Sequence, residues 1–130
     1  RVWALCPASE SENGGSAAHI LTYTHERPAL ASVFSWSGDR IFSGGADGTV
    51  RSVDLASGSL CAVGSHAAPV AAVATCEAHP HAVLSASWDK TLAVWDLRQT
   101  QSAKPITSVP LPGCVRALDL RWPYAAVAVS

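Results

Sequence analysis

Three residue types recur along this chain in one order, and together they could do nucleophilic chemistry. His66, Ser85 and Asp89 follow one another at nearly the intervals that separate His25, Ser43 and Asp47. A serine, a histidine and an aspartate brought together have the composition of a nucleophile, its base and the group that orients the base. That chemistry needs an exposed serine beside an oxyanion site, and neither serine sits in a G-x-S-x-G elbow. A trio that returns once per repeat is better read as a structural device. Glu77, His79 and His81 in EAHPH (77–81) are candidate metal ligands, but Pro80 separates the imidazoles and no second cluster supports them. The stretch is expected to be a loop. SGGADG (43–48) is glycine-rich, yet it lacks the spacing of a phosphate cradle and reads as a turn between strands. No catalytic residue, metal site, cofactor or small-molecule substrate is expected.

The spacing that matters is longer. His25 and Pro28 match His66 and Pro69, each pair 41 apart. Ser43, Asp47, Thr49 and Asp54 match Ser85, Asp89, Thr91 and Asp96, each pair 42 apart, so one residue has been inserted near EAHPH. A period of roughly 40–45 residues is that of a four-stranded propeller blade. The local patterns agree. LASVFSW, RIFSGG and TVRSVDL are short runs rich in β-branched and aromatic residues, and SGD (37–39), ADG (46–48) and ASG (56–58) separate them as turns. PVAAVAT, AVLSAS and TLAVWDL repeat the pattern, and no window keeps a helical period.

The reading is all-β. Residues 1–24 close a preceding blade, with a polar loop at 9–17 and a strand at 19–24. Residues 25–65 and 66–109 form two complete units, and 110–130 start a further one. Sheets with one apolar face bury it by stacking on neighbours, so the chain is expected to be an arc of a closed ring. The 130 residues are 48% hydrophobic and 15% charged, with net charge −1. Such a composition gives no basic field for phosphate backbones. There is no apolar run of about eighteen residues for a membrane-spanning helix. The four cysteines (6, 61, 76, 114) form no paired set and are expected to be buried, reduced thiols.

In the second unit His66, Ser85, Asp89 and Trp95 stand where WD-repeat propellers place a hydrogen-bonded tetrad, and the chain resembles that family. The first unit keeps His25, Ser43 and Asp47 but has Val53 where Trp belongs, so its network is expected to be one member shorter and weaker. GSHAAPV (64–70), SASWDKTLAVWDLR (85–98) and SVPLPGCVRALDLRWPYAAVAVS (108–130) resemble the messenger-RNA export WD-repeat proteins of the nuclear pore. The spindle-checkpoint WD-repeat adaptors are close relatives. The chain departs from the shared pattern at Ala67, Ala86 and around Cys114. The resemblance implies a non-enzymatic seven-bladed platform in the nucleus and at the nuclear pore, present also in the cytoplasm. It would dock the GLEBS motif of a nucleoporin and have RNA as a possible member of the complex. A checkpoint adaptor for kinase GLEBS motifs, or another WD scaffold, is the alternative. From the residues themselves, Trp88 is the candidate docking anchor, with Lys90 beside it. Its counterpart in the first unit is Ala46, and an indole on a rigid turn offers large contact area at low entropic cost.

Overall fold

The computed structural model describes residues 2–7, 17–99 and 104–130. Among these there are twelve strands and no helix. β1 (Val2–Pro7) pairs with β2 (Ala17–Tyr23). β3 (Ala29–Phe34), β4 (Arg40–Gly45), β5 (Thr49–Asp54) and β6 (Leu60–Ser65) form one antiparallel sheet in chain order. β7 (Val70–Thr75), β8 (Ala82–Ser87), β9 (Thr91–Asp96) and β10 (Thr107–Pro110) form a second with the same order. β11 (Val115–Arg121) pairs with β12 (Tyr124–Val129). The polar stretch 9–17 lies outside the described residues apart from Ala17, which opens β2.

Middle strands are buried and outer strands are not. In β4 the run from Ile41 to Gly45 is buried throughout, because sheets cover both of its faces. The outermost strands β6 and β10 are mostly exposed. β10 is only four residues long and ends at Pro110, whose missing N–H discourages further pairing at that edge. Two apolar clusters hold the sheets against one another. Phe42, Val50, Val70, Val73 and Val83 join the two four-stranded sheets, with Val33, Val63 and Leu97 around them. Val2, Tyr23, Ile41 and Val53 join β1–β2 to the first of these sheets. A hydrogen bond from the Thr75 hydroxyl to the Phe34 carbonyl ties the first strands of adjacent sheets.

Cys76 is buried, but Cys61 is exposed and Cys114 half-buried, all three as free thiols. The expectation of buried thiols therefore fails at Cys61. Its apolar run is real, yet it lies on β6, where no further strand covers it.

The turns use the expected residues. Gly38, Gly48 and Gly58 have φ of 75°, 81° and 69°. The Asp54 carboxylate caps the next turn by accepting from the Ala56 and Ser57 amides, and Asp96 accepts from the amide and guanidinium of Arg98. The second unit breaks one rule. Lys90 stands at the place of Gly48 and keeps its left-handed backbone, with φ 67°. An L residue with a Cβ pays about 1–2 kcal/mol for that conformation. Lys90→Gly is expected to stabilise the protein by about 1 kcal/mol after the extra chain entropy of glycine is subtracted. Urea melts of the variant and parent check this; an unchanged or lower midpoint contradicts it.

Candidate functional site

The β8–β9 turn, the loop before β7 and the middle of β8 meet at one end of the second sheet. Ser85 is fully buried in β8, and the Trp95 indole N–H on β9 donates to its hydroxyl oxygen at 2.7 Å. Ser85 Oγ lies 2.7 Å from His66 Nε2, and His66 Nδ1 lies 3.0 Å from Asp89. One proton arrangement satisfies every member. The indole donates to Ser85, the Ser85 hydroxyl donates to Nε2, and the Nδ1 proton goes to the carboxylate. Asp89 also accepts from the Thr91 amide and hydroxyl at 2.9 and 2.5 Å and from the Ala67 amide at 3.2 Å. The His66 and Trp95 rings meet nearly edge-on, with centroids 5.9 Å apart. Thr91 is a member that sequence reasoning did not place, although its match with Thr49 in the repeat was visible.

The order Ser–His–Asp is that of a catalytic triad, and the distances would suit one. The environment does not. Ser85 has no exposed surface, and its oxygen already receives the indole proton. A nucleophile must be reachable by its substrate, so this chain of protons can only tie a loop, two strands and a turn together. Among the described residues no three His, Cys, Asp or Glu side chains come together to hold a metal. His79 of EAHPH lies edge-on against Trp122, with ring centroids 4.3 Å apart.

The first sheet corrects one expectation. His25 Nε2 lies 2.7 Å from Ser43 Oγ, and Nδ1 faces Thr49 at 3.2 Å and Asp47 at 3.5 Å. The network is not a member short. The Tyr23 hydroxyl donates to Ser43 at 2.8 Å, in the role of the Trp95 indole. Tyr23 comes from β2, in the preceding sheet, whereas Trp95 comes from its own sheet. Two positions explain the exchange. Tyr23 and Gly64 each stand two residues before their histidine, and Val53 and Trp95 match at the 42-residue spacing. A Cβ on Gly64 would approach the Trp95 ring to 2.1 Å, so the indole occupies the volume that Gly64 leaves open. In the first sheet the large ring is on the other strand and the small residue, Val53, faces it within one cluster.

Burial is the main reason that the His25 pKa lies below its usual 6.5, although the Asp47 carboxylate pulls the other way. Burial also pushes the Asp47 pKa upward. Donation from the Thr49 hydroxyl and amide and from His25 outweighs it, bringing that pKa to about 2. Asp89 is lowered in the same way, with burial opposed by Thr91 and His66.

Trp88 and Lys90 lie on the turn that this network anchors. Trp88 is 42% exposed. Its amide donates to the Pro69 carbonyl, and its carbonyl accepts the Cys114 thiol at 3.3 Å. The Leu111 amide donates to the Lys90 carbonyl at 2.8 Å. The turn backbone is thus pinned from both sides while the indole remains half in solvent. Lys90 is exposed and makes none of the ion pairs found among the described residues.

A repeat of about forty residues, each giving a four-stranded sheet closed by a His–Ser–Asp network, is matched at residues 18–54 and 55–96 by the model for the WD domain, G-beta repeat. The chain belongs to the WD-repeat family. It is 36% identical over 123 residues to a poly(A)+ RNA export protein of Schizosaccharomyces pombe, covering 93% of this chain and 34% of that protein. It is 39% identical over 99 residues to the mRNA export factor GLE2 of Chaetomium thermophilum, covering 75% and 27%. A mitotic checkpoint protein, bub-3 of Caenorhabditis elegans, is 30% identical over 88% of the chain. This WD-repeat chain spans about a third of the length of the curated relatives it matches. Among solved structures it resembles the β-propeller domain of Cps50 (Swd1) from Myceliophteria thermophila, with TM-score 0.71 at 22% identity over 85% of this chain and 35% of that one. That likeness shows the β-propeller fold.

The two aromatic donors separate in a melt. Trp95→Ala empties a buried ring site and leaves a hydroxyl unserved, at about 3–5 kcal/mol. Tyr23→Phe keeps the ring and loses one hydrogen bond, at about 0.5–1.5 kcal/mol. Equal losses in denaturant titrations would contradict the assignment. The pH dependence has two stages. A His25 pKa below 6.5 means that the unfolded chain binds protons first, so its contribution is complete above pH 6.5 and declines as the pH falls through the lowered value. Asp47 contributes above its unfolded value of 3.8, and that contribution is lost as the pH falls towards about 2. Melting temperatures measured across this range are expected to drop in both windows, and His25→Gln should diminish the upper drop.

Proposed function

We propose that this chain contributes a docking face to a non-enzymatic WD-repeat adaptor of the messenger-RNA export type. Its ligand there is a short GLEBS-type segment of a nucleoporin, in the nucleus at the nuclear pore, with passage through the cytoplasm. RNA would enter as part of the assembled complex. The observation that carries the reading is Trp88, a half-exposed indole on a turn whose backbone is hydrogen-bonded on both sides. A fixed aromatic side chain loses little freedom on binding, and such residues dominate interface energetics. Lys90, on the same turn, would meet acidic side chains of the segment, a contact worth little by itself in solvent. The buried serines support a scaffold over a hydrolase, since Ser43 and Ser85, the serines of the two Ser–His–Asp sets among the described residues, have no exposed surface.

Likeness to two export proteins at 36% and 39% identity favours the export branch over the checkpoint one, whose bub-3 relative is 30% identical. In the checkpoint reading the same face would take the GLEBS motif of a kinase. Pull-downs with the full-length protein discriminate. Retention of nucleoporin GLEBS peptides is expected, and capture of kinase motifs alone overturns the export reading. Failure of both would point to another kind of WD scaffold. Trp88→Ala is expected to weaken docking at least about tenfold with the melting temperature nearly unchanged. A large drop in melting temperature would make Trp88 a packing residue.

A further inference from the structure

At the end of the sheets opposite the Asp89 turn, three hairpin loops carry matched residues. Trp36, Glu77 and Trp122 each stand seven residues beyond the start of a first strand, at Ala29, Val70 and Val115. These strands have their register shift at the same place, and β7 packs against both β3 and β11. The three positions are therefore equivalent, and they carry an indole, a carboxylate and an indole on successive sheets. Trp36 and Trp122 are 61% and 59% exposed, against 2% for Trp95. With Glu77 and Arg121 they line one groove of about 660 Å³ whose floor includes Thr75 and Cys76. The edge contact with His79 restrains the Trp122 ring. Glu77 is exposed and takes part in none of the ion pairs found among the described residues.

We propose that this groove receives a basic side chain of a partner protein, a lysine, methylated lysine or arginine, against an indole face and beside Glu77. Indole faces attract cations, and the Glu77 carboxylate, which is in none of the ion pairs among the described residues, supplies a counter-charge. A neutral apolar anchor would strip water from that carboxylate without compensation. A nucleic acid could stack on the indoles but would bring its phosphates to the same carboxylate. Arg121 lines the groove as a like charge, so it opposes the cation and its loss favours binding. The site is separate from the Trp88 turn and does not depend on the reading given to that turn.

The test titrates the protein with acetyl-Gly-Ser-Lys-Ser-Gly-amide and with the same peptide carrying trimethyllysine, arginine or norleucine at its centre, following tryptophan fluorescence. At least one cationic peptide is expected to bind at least about fivefold more tightly than the norleucine peptide, and Glu77→Gln is expected to remove most of that difference. Arg121→Gln should tighten binding about twofold, and Trp88→Ala should leave it unchanged. Glu77 is exposed, so its variant is expected to melt as the parent does. Equal binding of norleucine, no binding of any cationic peptide at millimolar concentration, or indifference to Glu77→Gln overturns the proposal. So does binding of oligouridylate that strengthens in Glu77→Gln, which would make the groove a base-stacking surface.

Discussion

A buried serine hydroxyl sets the terms for this fold. Ser85 lies at the middle of a sheet with no exposed surface, so its oxygen and its proton both need partners within the protein. The Trp95 indole supplies one and the His66 imidazole the other. The imidazole is then obliged to place its second nitrogen against Asp89, and Asp89 can be there only if the β8–β9 turn brings it. Each link therefore constrains a different piece of backbone: β9 through Trp95, β8 through Ser85, the loop before β7 through His66 and the turn through Asp89. In a low-dielectric interior, removing one member strands the next. The apolar clusters press the sheets together without fixing which residues oppose which, and the directional chain resolves that ambiguity.

The same constraint is met twice by different strands. In the first sheet the proton for the buried serine arrives from Tyr23 on β2, so the network also joins two sheets. In the second it arrives from within the sheet, and Gly64 on the matching strand leaves the volume that Trp95 fills. What persists from unit to unit is a donor at the serine and one aromatic ring's worth of volume beside the histidine. The strand that provides them is free to change, provided the facing position shrinks.

This explains what could be read in advance. His25, Ser43 and Asp47, like their partners in the second unit, were legible because the repeat fixes both their identity and their spacing. Turn glycines and strand runs were legible because backbone geometry restricts the residues they admit. Tyr23 was not, since its function had moved to a strand that sequence alignment of like with like never compares with β9. The signal existed as a reciprocal exchange of large and small residues, Tyr23 for Gly64 and Val53 for Trp95. Cys61 was misjudged because an apolar run says nothing about whether its strand is the outermost. The equivalence of Trp36, Glu77 and Trp122 was not legible, because the carboxylate in the middle position hides the periodicity when only apolar residues are counted.

The turn at residues 88–90 keeps the backbone bonds of its counterpart at 46–48 but presents different residues. Both units pin this turn with equivalent backbone bonds: the Ala46 or Trp88 amide donates to the proline carbonyl before it, and the His66 or Leu111 amide of the following loop donates to the Gly48 or Lys90 carbonyl. In the first unit the residues presented are small, and glycine takes the left-handed position without strain. In the second a tryptophan and a lysine occupy them, the lysine against its backbone preference. Strain of this kind persists where the surroundings over-determine the conformation, and here the Asp89 carboxylate, the Cys114 thiol and the two backbone bonds do so. A network as rigid as this can hold an unfavourable residue at its edge. Nothing in the fold of the second unit requires an exposed indole or a strained lysine there, since the first unit closes the same turn with alanine and glycine. The proposed docking role of Trp88 would account for that difference between the two turns.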